Sequence, residues 1–389
     1  MRIITYFFLL LTLLELFLGG GGRVFEFQGI TARMFLFVIN MLFSMLLILS
    51  HRKVHKYVIF IIILVLSSFV FFSILGILNG APFSYVLEDI KPLSYFFSVL
   101  FFSVYIDSME RVKLVVRILK KTSLAMAILY LLIQVLFYMK LIEFHSFWNY
   151  VNNQISGSDF FFRGVKGLFF YKGFLYMTVG LIFWIFVDYK RGSLLAISII
   201  TLAVILAGSR GFIIIFCLLF ALYYGLPLLL KLNLKVILMS LVGLVIVFHF
   251  FMNVELGDKK LSDGIRIQQI EEVLQRVDVI SLFGGHGFGV GVPVRPVHME
   301  IAFLEVFHKQ GLLGLLMWGI LFLFIYNQYK ENCNFKSIRK AFFLSVLFVL
   351  LVSLTNPFFN NPIGISLFMI SVVSFSVMNM RTKYNPSLN

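Results

Sequence analysis

Residues that can bind anionic oxygen groups or exchange protons with them are concentrated at two places in this chain of 389 residues. One is Gly208-Ser209-Arg210-Gly211, which follows an apolar run, and the other is the stretch 284–314, which holds several glycines, three histidines and an arginine. Arginine offers paired donors to phosphate, histidine exchanges protons near neutral pH, and glycine lets the backbone approach a ligand closely. The combination indicates chemistry on a lipid-linked anion.

A predicted helix precedes the glycine-rich stretch. Asp263 is placed to cap a helix over about 264–277, whose apolar stripe is Ile270, Val273, Leu274 and Val277. Arg266 then falls near the start of this helix, where the helix dipole favours an anion. The glycines that follow, among them Gly285 and Gly287, permit positive φ angles and are expected to contact substrate.

A second predicted helix follows the glycines. Pro296 precedes it, His298 and Glu300 lie in its first turn, and Gly311 ends it, so the helix covers about 298–310. The expected buried face consists of Ile301, Leu304 and Phe307.

Arg210, Arg266 and His298 are the predicted catalytic residues. All three fall on the same side of the membrane in the topology that we predict below. Two arginines suit a departing pyrophosphate, and a histidine can take the proton from an attacking sugar hydroxyl. Purely structural roles stay open for each feature. His298 could be an interfacial histidine bonded to a loop carbonyl, and Arg210 an arginine that extends to the membrane surface. The glycine-rich stretch could be a turn without a ligand. The predicted substrate-binding residues are Arg163, Ser209, Gly285, Gly287 and Glu300.

No outward-facing acidic pair shows metal-ligand spacing, so the sequence predicts neither a metal nor another cofactor. The expected mechanism is therefore independent of metal.

The elements that position these residues are membrane spans. Hydrophobic residues make up 60% of the chain and charged residues 13%, about half the charged share of a soluble protein. We predict an all-α polytopic protein of about twelve transmembrane helices, each formed by an apolar run near the length that crosses a bilayer. They are placed near 3–18, 33–50, 57–78, 92–106, 122–139, 173–188, 193–208, 212–230, 236–253, 311–328, 341–355 and 363–380.

The connectors between these spans alternate in charge. One set, with both termini, carries 19 of the 33 basic residues and four of the 18 acidic ones, so it is expected in the cytoplasm of an inner-membrane protein. The net charge of +15 then reports orientation and gives no indication of nucleic-acid binding. Residues 1–389 form a single domain without internal repeats, with two long periplasmic loops at 140–172 and 253–310.

Four motifs of the chain, taken together, resemble those of the O-antigen polymerase and O-antigen ligase superfamily. They are Ser209-Arg210, the element from Arg163 to Phe169, Gly285-His286-Gly287 with His298, and Gly311-Leu312-Leu313-Gly314. The resemblance covers most of the chain, and it places the family's catalytic arginines on Arg210 and Arg266 and its histidine on His298. One departure is Met299, where relatives often carry asparagine.

The resemblance implies a GT-C-like glycosyltransferase that moves a glycan from undecaprenyl pyrophosphate to an acceptor hydroxyl with inversion, without a nucleotide sugar. A polymerase, the favoured reading, uses another lipid-linked repeat unit as acceptor; a ligase uses lipid A-core, and a protein-glycosylating relative uses serine or threonine. A flippase for lipid-linked oligosaccharide is the alternative from another class. Expected partners are the lipid-linked substrate, membrane lipids and a chain-length regulator.

Overall fold

A computed structural model describes residues 2–20, 26–27, 30–50, 54–156, 160–162, 167–221, 223, 259–331 and 335–384. Arg163 and the span expected at 236–253 lie outside these ranges, as does part of the span expected at 212–230.

Helices dominate the first part of the chain. They are α1 (Arg2–Leu18), α2 (Ala32–Leu49), α3 (Lys56–Leu78), α4 (Phe83–Leu93), a 3-10 turn (Ser94–Phe97), α5 (Ser98–Tyr105), α6 (Met109–Tyr138) and α7 (Phe144–Tyr150), which a π-helical turn (Val151–Ser156) extends. Two short antiparallel hairpins refine the all-α expectation: β1 (Glu26–Phe27) with β2 (Ile30–Thr31), and β3 (Phe160–Phe162) with β4 (Phe169–Tyr171).

The second part is also helical. Its elements are α8 (Phe174–Phe186), α9 (Arg191–Leu206), α10 (Arg210–Phe220), α11 (Lys259–Gln275), α12 (Val279–Gly284), α13 (Ala302–Lys330), α14 (Lys336–Val352) and α15 (Pro362–Tyr384).

Five of these helices are long and apolar enough to cross a membrane: α2, α3, α6, α13 and the Pro362–Met380 part of α15. Shorter apolar helices at Ile3–Leu18, Phe174–Phe186, Arg191–Leu206 and Arg210–Phe220 match further predicted spans. The protein is therefore a multi-pass membrane protein. In α15, 94% of the most apolar window is buried, against 22% in α2 and α3, so α15 runs through the centre of the bundle.

The span expected at 92–106 is not one straight helix. Pro92 lies in the last turn of α4, and the chain continues as a 3-10 turn before α5. Proline cannot donate the backbone hydrogen bond that a continuous helix requires, which accounts for a break here. Asp89, three residues before Pro92, is buried in the protein interior.

The basic connector expected before residue 122 is helical as well. Helix α6 begins at Met109 and continues for 30 residues, so Lys113 and Lys121 lie on the helix itself and not in a loop. The apolar stretch found from the sequence is only the second part of this longer element.

The helices predicted around the glycine-rich stretch needed correction. Asp263 lies inside α11, which begins at Lys259, so it does not cap that helix, and Arg266 is in the second turn and not at the start. Val273 is buried, but Ile270 and Leu274 of the expected stripe are exposed, while polar Gln269 is buried.

The helix expected at 298–310 begins later, at Ala302, and His298 and Glu300 lie in the irregular segment before it. Its buried face carries Glu305, His308 and Lys309 in addition to Val306, in place of the apolar face expected at 301, 304 and 307. Gly311 breaks the helical geometry with a φ of 61°, after which the helix resumes as a membrane span.

Candidate active site

His298 faces two carboxylates. Its Nδ1 atom lies 3.6 Å from Oδ1 of Asp89 and 3.6 Å from Oε1 of Glu305, and the imidazole is about half exposed. The Glu305 carboxylate raises the pKa of His298 above its ordinary value, while burial of part of the ring and the charge of Lys309 oppose the rise. The carboxylates favour a proton on Nδ1, which leaves Nε2 able to accept another.

Lys309 completes this group. Its Nζ donates to Asp89 Oδ1 at 2.6 Å and to Glu305 Oε1 at 2.7 Å, and also to the carbonyl of Val297. Only 2% of the Lys309 side chain is exposed. Charges buried this deeply are stable only when paired and hydrogen-bonded. The ammonium therefore holds the two carboxylates together beside the imidazole.

The remaining oxygens of the two carboxylates are also satisfied. Oδ2 of Asp89 accepts from the backbone N–H of Gly289 at 2.7 Å, and Oε2 of Glu305 accepts from Asn360 Nδ2 at 2.8 Å. Burial raises the pKa of Asp89, and the charge of Lys309 opposes that rise. The network thus joins the glycine-rich loop, α4, α13 and the segment before α15.

The glycine-rich loop packs tightly against two helices. The N–H of Gly287 donates to Lys309 O at 2.8 Å, and that of Gly285 to Ser281 O at 2.8 Å. A Cβ atom on Gly287 would lie 2.0 Å from the backbone nitrogen of Gly76 in α3. These two backbone donors are used within the fold, so the glycines hold the loop in place; substrate contact by them stays a prediction.

A cavity of about 230 Å³ opens beside His298. Its walls come from α4, β4 and its following turn, the glycine-rich loop, α13 and the segment before α15. The lining residues are Asp89, Pro92, Leu93, Lys172, Phe288, His298, Glu305, Val306, Lys309, Gln310, Pro357, Asn360 and Asn361. The two long connectors therefore meet at this cavity, because Lys172 belongs to the first and His298 to the second.

Arg266 lies on α11 in an ionic cluster that includes Glu300, two residues after His298. Its Nε atom is 3.2 Å from Glu300 Oε2, and its Nη1 is 3.1 Å from Asp263 Oδ1. Arg295 approaches the other oxygen of Glu300 at 2.6 Å. Glu300, expected to bind substrate, is thus held between two arginines, and its backbone N–H donates to Gln269 at 2.9 Å.

Arg210 begins α10, and the preceding Ser209 is buried. A Cβ atom on the neighbouring Gly211 would be 3.3 Å from Thr355 Oγ1. Thr355 belongs to the segment 353–361, which also supplies Pro357, Asn360 and Asn361 to the cavity wall. The structure therefore relates Arg210 to the cavity through this segment, whereas His298, Asp89, Glu305 and Lys309 are in direct contact.

Asp89, His298 and Glu305 form a group that could hold a metal ion, since one ligand atom from each lies within 4.8 Å of the others. The ammonium of Lys309 already bonds to two of the three, which supplies the positive charge that two buried carboxylates require. The ammonium of Lys309 therefore suits this group better than a metal ion would.

The sequence interpretation missed Asp89, Lys172, Glu305 and Lys309. One signal was present: Glu305 and Lys309 are four residues apart, the spacing of an ion pair on one face of a helix. Asp89 carried no local signal, because its partner lies 220 positions away.

No family model and no solved structure matches the chain. The O-antigen polymerase of Shigella flexneri is 30% identical in an alignment of 395 positions that covers 99% of this chain and 98% of that protein.

Proposed function

Because the chain belongs to the O-antigen polymerase family and therefore polymerises O-antigen by glycosyl transfer, we propose that the cavity beside His298 is where the new glycosidic bond forms. The donor would be a glycan on undecaprenyl pyrophosphate, and the acceptor a hydroxyl of a second lipid-linked repeat unit. The contact between His298 and the buried Asp89–Lys309–Glu305 network is the observation that carries the proposal.

In the proposed step His298 Nε2 takes the proton from the acceptor hydroxyl. The acceptor oxygen forms a bond to the anomeric carbon while the bond from that carbon to the pyrophosphate oxygen breaks, with its electron pair leaving on the pyrophosphate. Attack from the face opposite the leaving group inverts the anomeric centre. Asp89 and Glu305 orient the imidazole and stabilise the cation that it becomes, as a carboxylate does for a catalytic histidine elsewhere.

Cations would neutralise the pyrophosphate as it departs. Lys172 lines the cavity directly, and we assign Arg210 and Arg266 to the same task. Arg266 now pairs with Glu300, so it would exchange that carboxylate for pyrophosphate, while Arg295 keeps Glu300 bound. Guanidinium groups suit this exchange because their paired donors match phosphate oxygens.

We also propose that catalysis needs no metal ion, because Lys309 supplies positive charge where a bridging metal would otherwise bind. The cavity would lie at the periplasmic face of the inner membrane with both chain termini in the cytoplasm. Reporter fusions after Gly80 and Lys336 should then report periplasm and cytoplasm respectively, and the opposite result would invert this assignment.

A flippase would need charges near the middle of its spans. Among the described residues, Glu15 and Arg33 form an ion pair at 3.0 Å between α1 and α2, but it lies toward the end of α1 and at the beginning of α2, not at the middle of a span. This position favours the transferase. Transfer to lipid A-core or to protein remains a second reading of the same cavity, which the acceptor distinguishes.

The test is polymer formation by purified protein reconstituted with lipid-linked repeat units and no other acceptor. We expect long chains with EDTA present throughout. Products that form only when lipid A-core or an acceptor protein is added would instead identify a ligase. Loss of wild-type activity in EDTA would overturn the metal-independent mechanism.

A further inference from the structure

A second, larger cavity lies away from His298. Its volume is about 580 Å³, and it is enclosed by the first part of α6, the end of α8 and the beginning of α14. Its lining residues are Lys113, Val116, Arg117, Lys120, Lys121, Trp184, Val187, Asp188, Phe335, Lys336, Ser337 and Ile338. Five of these residues are basic and one is acidic; we refer to this space as the basic cavity.

The basic side chains on α6 share one face. Lys113, Arg117, Lys120 and Lys121 follow the spacing i, i+4, i+7 and i+8, which places them on the same side of a helix. Basic residues that only mark membrane orientation have no need to converge. Here they converge on a space that Lys336 of α14 faces from another side.

Lys120 and Trp184 form a fixed wall of the basic cavity. Lys120 Nζ donates to Val187 O at 2.9 Å and lies 4.3 Å from the centre of the Trp184 ring. The indole N–H of Trp184 donates to the carbonyl of Lys120 at 2.9 Å. The helices around the cavity are therefore tied together by polar contacts.

The other cations are available to a ligand. Within the part of the chain that the structure describes, no carboxylate forms an ion pair with Lys113, Arg117, Lys121 or Lys336. All four residues are exposed. Their summed charge, close to one another and to Trp184, favours an anion with more than one negative group.

The basic cavity lies at the opposite end of the bundle from His298. Lys309 is near the beginning of α13, whereas α14 begins at Lys336, shortly after α13 ends. Beyond the break at Gly311, the 19 residues from Leu312 to Lys330 span roughly 28 Å at 1.5 Å per residue. This distance separates the two surfaces of a bilayer, so the basic cavity lies at the depth of lipid phosphates on the other face.

We propose that the basic cavity binds the headgroup of an anionic membrane phospholipid, most strongly one that carries two phosphates. Its volume exceeds what a single phosphate needs, and basic pockets between membrane helices are a known form of site for such headgroups. The acyl chains would extend along the apolar surfaces of α6 and α9. The bound lipid would brace α6, α8 and α14 against one another.

The test measures binding of cardiolipin, a phospholipid with two phosphates, to the full chain in neutral detergent by native mass spectrometry. The double variant Arg117→Gln/Lys336→Gln removes two cations from the cavity. Each basic residue near a charged lipid contributes roughly a fivefold gain in affinity, so the double variant should bind about thirtyfold more weakly.

The matched control is Lys56→Gln/Lys330→Gln, which removes two exposed cations at the same end of the bundle without altering the cavity lining. This variant should retain cardiolipin binding within about threefold of the unmodified chain, because distant exposed charges are screened. Equal losses in the two double variants would overturn the site. Equal binding of phosphatidylcholine, or full displacement of cardiolipin by equimolar inorganic pyrophosphate, would overturn the assignment to an anionic lipid.

Discussion

Lys309 and Asp89 are 220 positions apart in the sequence, yet Nζ of one lies 2.6 Å from Oδ1 of the other. Both side chains are at most 4% exposed. This bond connects α4 with α13. Glu305, four residues before Lys309 on α13, also pairs with the ammonium, and His298 approaches the Glu305 carboxylate. Lys309, which was not among the residues predicted from the sequence, is thus the electrostatic centre of the candidate site.

Removal of the Lys309 charge should destabilise the protein. Lys309→Met leaves two buried carboxylates without their cation, which typically costs about 3–5 kcal/mol. Thermal unfolding in detergent measures the effect, and the added substitution Asp89→Asn should recover part of the loss. Lys91→Met is the control, because the exposed Lys91–Glu88 pair should contribute less than about 1 kcal/mol. Equal shifts in the two lysine variants would contradict the buried network.

Replacement of His298 should remove proton transfer and leave folding intact. We expect His298→Gln to lower polymer formation from purified lipid-linked repeat units by about 10²–10⁴-fold. His145→Gln, which alters an exposed histidine of α7 that does not line the cavity, should retain activity. Full activity in His298→Gln would reduce this histidine to a structural role.

The dependence of activity on pH should report the carboxylate beside His298. A general base must be neutral, and Glu305 raises the pKa of His298, so activity should rise with pH through a value above the ordinary pKa of histidine. Glu305→Gln removes the main cause of that rise and should move the acidic limb of the profile to lower pH. The measurement is the initial rate at saturating substrate across the pH range; an unmoved limb would show that Glu305 does not act on the base.

Substitutions can distinguish the roles of Arg210 and Arg266 from those of neighbouring residues. Arg210→Ala and Arg266→Ala should each lower the polymerisation rate by about 10²–10³-fold, the typical effect of removing one donor to a developing anion. Arg295→Ala removes the other partner of Glu300 and should have a much smaller effect. If Arg295→Ala and Glu300→Gln match Arg266→Ala, then Arg266 acts only by holding Glu300, and the pyrophosphate assignment fails.

The close packing of the glycine-rich loop predicts contrasting alanine variants. Gly287→Ala should displace the loop, because its φ is 86° and the new Cβ would overlap the backbone of Gly76. Gly264→Ala in α11 meets nothing within 4 Å and should be neutral or stabilise by about 0.5–1 kcal/mol. Thermal unfolding and polymer formation of both variants check this, and tolerance of Gly287→Ala would contradict the packing.

The sequence predicted what local patterns encode. The apolar runs coincide with the five helices long enough to cross a membrane and with four shorter apolar helices. The glycines with His298 marked the region of the cavity. These signals were detectable because they lie within short windows. Arg266 was placed at the wrong point of its helix, because the local capping signal at Asp263 lies inside α11, which already begins at Lys259.

The break at Pro92 shows a second limit. The apolar run at 92–106 fits one span by hydropathy alone. In the structure, Pro92 lies in the last turn of α4, and the rest of the run forms a 3-10 turn and α5. Asp89 lies in α4 three residues before Pro92, and its charged partner is the distant Lys309. Long-range pairing of this kind leaves no trace in a single sequence.

The volume of the cavity beside His298 bears on how growth of the polymer is limited. Its volume of about 230 Å³ is small compared with a polysaccharide of many repeat units. With the glycosidic bond formed there, as we propose, most of a long glycan would lie outside the cavity, where the reacting groups have no contact that registers its length. We therefore expect control of chain length to depend on contacts with the product outside this cavity.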